Sequence, residues 1–167
     1  INETIKVKDI IFASTGVIGE KFPASQINEC VQDLVNKLKS EQNKLIWMKT
    51  ASAIMTTDTK PKMAYEEISL GNKIIKIAGI AKGSGMIAPN LATMLSFIFT
   101  NVDIPSNILK TVLRKAASNT FNAITVDSDK STNDMVSIFA TNQIKIGQNR
   151  GTSDPVIQKF EIALKNL

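Results

Sequence analysis

The 167-residue chain has no histidine, a single cysteine (Cys30), one tryptophan and one tyrosine. Without an imidazole, a serine or cysteine hydrolase whose nucleophile is activated by histidine is excluded within these residues. One cysteine cannot close an internal disulfide. On the apolar side of a helical pattern Cys30 reads as a small buried hydrophobe, compatible with a reducing compartment. Arginine is scarce too, with only Arg114 and Arg150 among 20 basic residues. The lysines are spread through Lys6, Lys37, Lys60 and Lys110 without a dense block, so the net charge of +5 makes no nucleic-acid footprint. With so few aromatics and arginines, base stacking and bidentate phosphate reading lack their usual side chains. No apolar run approaches the ~18 residues of a membrane span. The opening residues INETIKVKD lack a signal-peptide pattern. The expectation is a cytoplasmic protein with neither nucleic acid nor membrane as a partner.

What is present is enough apolar material, 43% of residues, for a packed core. Ile10 to Phe12 reads as a buried strand delivering the turn Ser14-Thr15-Gly16. Ile27, Cys30, Val31, Leu34 and Leu38 follow helical spacing and predict a helix over 25–39. A second helix is expected over 45–54, stopped by Thr56-Thr57. Apolar segments at 63–70 and 73–80 flank Gly71-Asn72, a hairpin connection. Thr93 to Thr100 is β-branched and aromatic enough for a strand. A helix follows Pro105, carrying Ile108, Leu109, Val112, Leu113 and Ala116. Residues 123–126 and 135–140 read as strands flanking a polar loop. Asp154-Pro155 opens a last helix with Ile157, Phe160 and Leu164 on one stripe. This order predicts an α/β fold with a mixed sheet and packed helices.

The stretch Lys82 to Leu95, KGSGMIAPNLATML, places a small residue, Ala92, directly before a hydroxyl, Thr93, at the start of that apolar strand. With no histidine in the chain, the route left for activating Thr93 is its own α-amine, freed by cleaving the Ala92–Thr93 bond. Such an amine has a reference pKa of about 7.7 to 8.0, near enough to neutrality to accept the hydroxyl proton. Gly83, Gly85 and Pro89-Asn90 make the approach to that bond irregular. On residues alone, Thr93 reads as a residue that merely opens a strand, threonine being a common strand former. Thr15-Gly16 is in the same position: a strand-ending glycine turn offers a backbone N–H and a hydroxyl to a developing oxyanion, and it also fits an ordinary turn.

Two other patterns are set aside. Gly83-Ser84-Gly85-Met86-Ile87-Ala88 fits the dinucleotide fingerprint, but Pro89 to Ala92 leaves no room for a crossover helix before Thr93. Asp127, Asp129, Asn133 and Asp134 lack the glycine and distal glutamate of a calcium loop, and read as a polar loop bordering a site.

Four segments, Ser14 to Gly19, Ala53 to Thr59, Lys82 to Leu95 and Thr120 through Asp134, together resemble the bifunctional ornithine acetyltransferase family of arginine biosynthesis. The resemblance runs from about Ile10 to Asn142, with Leu91, Ser128 and Lys130 departing from the family pattern. It implies an N-terminal-nucleophile-type, self-processing fold. It also implies a glutamate N-acetyltransferase that moves acetyl from N-acetylornithine to glutamate through a threonine acyl-enzyme. By resemblance Thr93 is the nucleophile, Thr15 and Gly16 form the oxyanion hole, Thr56 and Lys82 contact substrate with Thr93, and cleavage falls between Ala92 and Thr93.

Residues 1–167 would then be the central part of one larger catalytic domain, with 1–92 ending an alpha chain and 93–167 beginning a beta chain. Both ends of the family fold would lie outside it, as the start at Ile1 without a methionine also suggests. No cofactor or metal is implied, although acetyl-coenzyme A serves some family members as an alternative acetyl donor. The expected assembly is a heterotetramer of two alpha and two beta chains. The rival readings are an N-terminal-threonine aminopeptidase or amidase, in which water accepts the acyl group, and a non-catalytic remnant of the fold.

Overall fold

The computed structural model describes residues 5–17, 19–40, 43–85, 94–128, 131–147 and 150–167. At its centre is a four-stranded sheet. Strand β1 (Lys62–Leu70) and strand β2 (Lys73–Lys82) form an antiparallel hairpin from Lys62↔Ala81 to Leu70↔Lys73. Gly71 turns it at φ +60°, a conformation in which a Cβ would be strained. Strand β3 (Leu95–Asp103) runs antiparallel to β2, and β4 (Met135–Lys145) runs parallel to β3, giving the order β1-β2-β3-β4. The sheet is therefore mixed and the expected α/β class holds.

A parallel pair needs a crossover, and helix α3 (Ser106–Ser118) occupies the one between β3 and β4. Helix α4 (Pro155–Asn166) follows β4; its N-cap Asp154 accepts Val156 N–H, and Pro155 fills the first turn, where a missing N–H costs nothing. The apolar stripes of these two helices supply Leu109, Val112 and Ala116, and Ile157, Phe160 and Leu164. They form one core with Ile75, Ile77, Ile98 and Val102 of the sheet. Each Val, Leu, Ile or Phe among them contributes about 1.5–3 kcal/mol on full burial.

Alternation along β3 sends Phe97 and Phe99 to the opposite face. There Phe99 stacks on Phe139 at 5.2 Å and meets the edge of Trp47 at 5.4 Å. Trp47 belongs to helix α2 (Lys44–Ala53), which follows helix α1 (Ala24–Ser40) in sequence.

Several expectations are corrected. Residues 10–12 form no strand; Ile11 and Phe12 are 61% and 78% exposed in an irregular segment after a short 3-10 turn at Val7–Asp9. Helix α1 forms where its periodicity predicts, yet Ile27, Leu34 and Leu38 stay largely exposed and Cys30 is exposed rather than buried. Amphipathic spacing creates an apolar face but does not itself supply a surface to cover it. Residues 123–126 are not a strand. A single 3-10 turn, Phe121–Ala123, closes there through Ala123 N–H to Thr120 O at 3.0 Å and Ile124 N–H to Phe121 O at 3.2 Å. Pro105 caps α3 instead of sitting in its first turn.

Candidate active site

The register sets Lys82, Leu95 and Met135 side by side, at the end of β2 and the starts of β3 and β4. One end of the sheet thus gathers three chain segments that are far apart in sequence. Lys82 is only 2% exposed there, against the usual habit of lysine, and it ranks among the largest fully buried side chains. Its Nζ donates to Thr56 Oγ1 at 3.0 Å, across a sequence separation of 26. Thr56 stands in the bend between α2 and β1, not at a strand end. Two of the residues expected to contact substrate are therefore in direct contact with each other. An ammonium has three N–H donors, and among the described residues Thr56 is the one hydrogen-bond partner of this one. A buried cation is suited to receive an anion.

Behind this pair lies Asp58, whose side chain is fully buried. It accepts Gly83 N–H on Oδ1 at 2.9 Å and Thr56 N–H on Oδ2 at 3.5 Å, and it pairs with the half-exposed Lys62. Burial pushes the Asp58 carboxyl up. The hydrogen bond and charge of Lys62 and the two backbone N–H groups outweigh that and hold it below the usual carboxylate value.

Across the sheet end, Gly83 adopts φ +145°, and a Cβ built there would sit 3.4 Å from Cα, Cβ and Cγ of Met94. Met94 is fixed from its other side by residues next to each other in sequence. Its N–H donates to Asp134 Oδ1 at 2.6 Å, and its carbonyl accepts Met135 N–H at 2.9 Å. The second Asp134 oxygen is buried and has no hydrogen-bond partner among the described residues. Burial pushes the Asp134 carboxyl up, with the Met94 N–H offsetting only part of that. The polar loop before it also approaches this corner: a Cβ at Gly85 would lie 3.5 Å from Asp127 Oδ2.

Thr93 and Ala92 lie outside the described residues, but Met94, one peptide bond beyond Thr93, packs directly against the residue that follows Lys82. Thr15 is half-buried and Gly16 is exposed with open space around it. Among the described residues no hydrogen bond joins either of them to Lys82, Thr56 or Asp58. The antiparallel pairing of β2 with β3 puts Gly83 to Gly85 in a hairpin-type connection, which removes the dinucleotide reading on topology. Among the described residues no cluster of three or more His, Cys, Asp or Glu is arranged to hold a metal. No helix among them is long and apolar enough to cross a membrane.

Asp58 is the functional-site neighbour that residue patterns did not single out. It lies inside the Thr56-Thr57-Asp58-Thr59 segment, but nothing in the pattern distinguishes a buried acceptor of two backbone N–H groups from a solvated turn aspartate.

Comparison with known proteins finds relatives of one name. A protein of Gluconobacter oxydans (strain 621H) named "Arginine biosynthesis bifunctional protein ArgJ" is 42% identical over 160 residues, which are 96% of this chain and 37% of the relative. The protein of the same name from Bartonella quintana (strain Toulouse) is 48% identical over 165 residues, 98% of this chain and 39% of the relative. That from Nitrobacter winogradskyi is 48% identical over 136 residues, 81% of this chain and 32% of the relative. The chain thus spans well under half the length of the curated relatives it matches. The ArgJ family profile matches residues 2–167, and the chain belongs to the ArgJ family.

Proposed function

We propose that this chain is the central part of a glutamate N-acetyltransferase of arginine biosynthesis that moves acetyl from N-acetylornithine to glutamate through an acetyl ester on Thr93. The single observation that carries the reading is the buried Lys82 ammonium, bonded to Thr56 beside the start of β3, in a chain of the ArgJ family. Both substrates bear an α-carboxylate, and a dehydrated lysine is suited to pair with it.

The chemistry begins with self-cleavage. The Thr93 hydroxyl attacks the Ala92 carbonyl, the amide becomes an ester, and water hydrolyses it to leave a free α-amine on Thr93. In turnover that amine accepts the Thr93 hydroxyl proton as the oxygen attacks the acetyl carbonyl of N-acetylornithine. The tetrahedral intermediate collapses, its C–N bond breaks, and the proton passes to ornithine as it leaves. The α-amine of glutamate then attacks the ester, giving N-acetylglutamate and restoring the hydroxyl. Thr15 and Gly16 are assigned to the developing oxyanion, where one donor contributes roughly 3 kcal/mol to the transition state. The acetyl group arrives on an amino acid, so the reaction needs no cofactor, and acetyl-coenzyme A is an alternative donor.

The family resemblance extends the proposal to two processed chains, 1–92 within the alpha chain and 93–167 within the beta chain. It also extends it to a heterotetramer of two of each and a cytoplasmic location. The test is to incubate the full-length protein with acetyl-labelled N-acetylornithine and map the label. An acetyl ester on Thr93 and N-acetylglutamate as product are expected. Free acetate without N-acetylglutamate would make the protein an amidase, and saturable binding without any turnover would make it a non-catalytic remnant.

A further inference from the structure

The Lys82–Thr56 contact is made by a buried cation at the end of a strand and a hydroxyl in an irregular bend. Neither element fixes the other by regular secondary structure. The group that joins them is Asp58. One of its oxygens takes the N–H of Gly83, the residue after Lys82, at 2.9 Å, and the other takes the N–H of Thr56 itself at 3.5 Å. Its side chain has no solvent exposure, so neither N–H can be satisfied by water without opening this corner. Gly83 at φ +145° is left with little freedom beside Met94, so the Asp58 bond fixes where β2 ends. The third contact, to Lys62, faces outward: the Lys62 side chain is 48% exposed.

We propose that Asp58 is a positioning residue that holds Thr56 and Lys82 in register as a cradle for the substrate α-carboxylate, with Lys62 as its outer counter-charge. The inference rests on the reading that Lys82 and Thr56 receive that carboxylate, and it adds the residue that sets their spacing and hence the preference for a free acid.

The geometry also explains why a carboxylate and not an amide belongs at position 58. Three donors converge on it, two backbone N–H groups and one ammonium. An amide would direct its own NH2 at one of them. Asp58→Asn therefore keeps the volume and one acceptor but breaks one arm of the clamp. Asp58→Glu keeps the charge and moves it by one methylene.

The experiment compares N-acetylornithine with its α-carboxamide, in which the carboxylate is replaced by a neutral group, on the full-length processed enzyme. Wild type is expected to prefer the acid through KM. In Asp58→Asn the KM for the acid should rise about tenfold while kcat/KM for the carboxamide stays within about twofold, collapsing the preference. Asp58→Glu should fall between them, and Lys62→Gln, which leaves both backbone bonds in place, should keep the preference. A loss of activity of equal size on both substrates would overturn the proposal, as would an unchanged KM for the acid. Failure of both Asp58 variants to fold would also overturn it, because the carboxylate would then be required by the fold and not by the cradle. Lys82→Ala separates this from the underlying reading. If it leaves the acid preference intact, Lys82 does not hold the carboxylate at all; if it abolishes the preference and Asp58→Asn does not, only the role of Asp58 is wrong.

Discussion

Gly83 and Met94 are in van der Waals apposition: a Cβ on the glycine would lie 3.4 Å from three atoms of the methionine, at a backbone φ of +145° that side chains rarely adopt. Lys82 precedes this glycine and Thr93 precedes this methionine, so one tight contact couples the proposed carboxylate-binding lysine to the proposed nucleophile. Gly83→Ala should cost about 1–3 kcal/mol, from the strained conformation together with the displaced Met94. Gly151, whose Cβ position is open, supplies the control: Gly151→Ala should be close to neutral. Thermal unfolding of the two variants side by side measures the difference, and equal melting temperatures would remove the apposition as a constraint.

Asp134 anchors the same methionine from β4. Asp134→Ala would leave the Met94 N–H without its acceptor and should destabilise by about 1–3 kcal/mol, whereas Asp134→Asn keeps an acceptor and should cost less. The carboxyl is pushed up by burial, so its folded pKa lies above its unfolded one. Stability from this group is fully present below the unfolded pKa and is lost as pH rises through the folded pKa. Asp58 is held low and behaves oppositely, with stability present above its unfolded pKa and lost as pH falls through its folded one. Carboxyl titration by NMR should place Asp134 above Asp58. The reverse order would mean that Oδ2 of Asp134 is solvated in solution.

The hairpin is legible from Gly71-Asn72 between two apolar runs, β3 from its β-branched and aromatic residues, and α1, α3 and α4 from helical stripes such as those in 108–116 and 157–164. Lys82 and Thr56 were legible only through family resemblance, since no periodicity says that residues 26 apart in sequence touch. The misread segments share a cause. Ile10 to Phe12 and Ala123 to Val126 are short apolar runs, and a run of three or four residues contains no period with which to decide between strand, turn and coil. Cys30 was misjudged for a different reason: an apolar stripe predicts a helix face but says nothing of what lies opposite. Asp58 escapes the sequence reading, and Asp134 is placed there only in a polar loop bordering a site, because a buried acceptor looks like any polar loop residue until the backbone N–H groups around it are in place.

Glu161 ties the two helices that back the sheet. It is 7% exposed on α4 and pairs with Lys165 of the same helix and with Lys115 of α3, and these two lysines hold its carboxyl below the usual value. Its folded pKa is thus below its unfolded one, so its contribution is present above the unfolded pKa and disappears as pH falls through the folded pKa. Glu161→Gln removes the charge at every pH. Because the Lys115 side chain is 63% exposed, solvent screening should hold the loss at neutral pH to about 1 kcal/mol. The variant and wild type should converge in stability on acidification, and a gap that stays constant with pH would show that the ion pairs contribute nothing.

The proposed chemistry makes its sharpest demand at Thr93, because residues 1–167 contain no histidine to activate it. If Thr93 must provide its own base, the mature full-length protein should be two chains, the second beginning Thr93-Met94-Leu95, and intact-mass measurement should find both. Thr93→Ala removes the hydroxyl proposed to attack the Ala92 carbonyl, and should give one uncut, folded chain with no acetyl transfer. Thr93→Ser keeps a hydroxyl at the same atom and should cleave more slowly, with residual transfer appearing only in the cleaved fraction. Cleavage and transfer are thereby linked through one oxygen and one nitrogen: no variant should transfer acetyl before its chain is cut. Full activity from an uncut wild-type protein would break that link and require a base from elsewhere in the molecule, because residues 1–167 contain no imidazole to supply it.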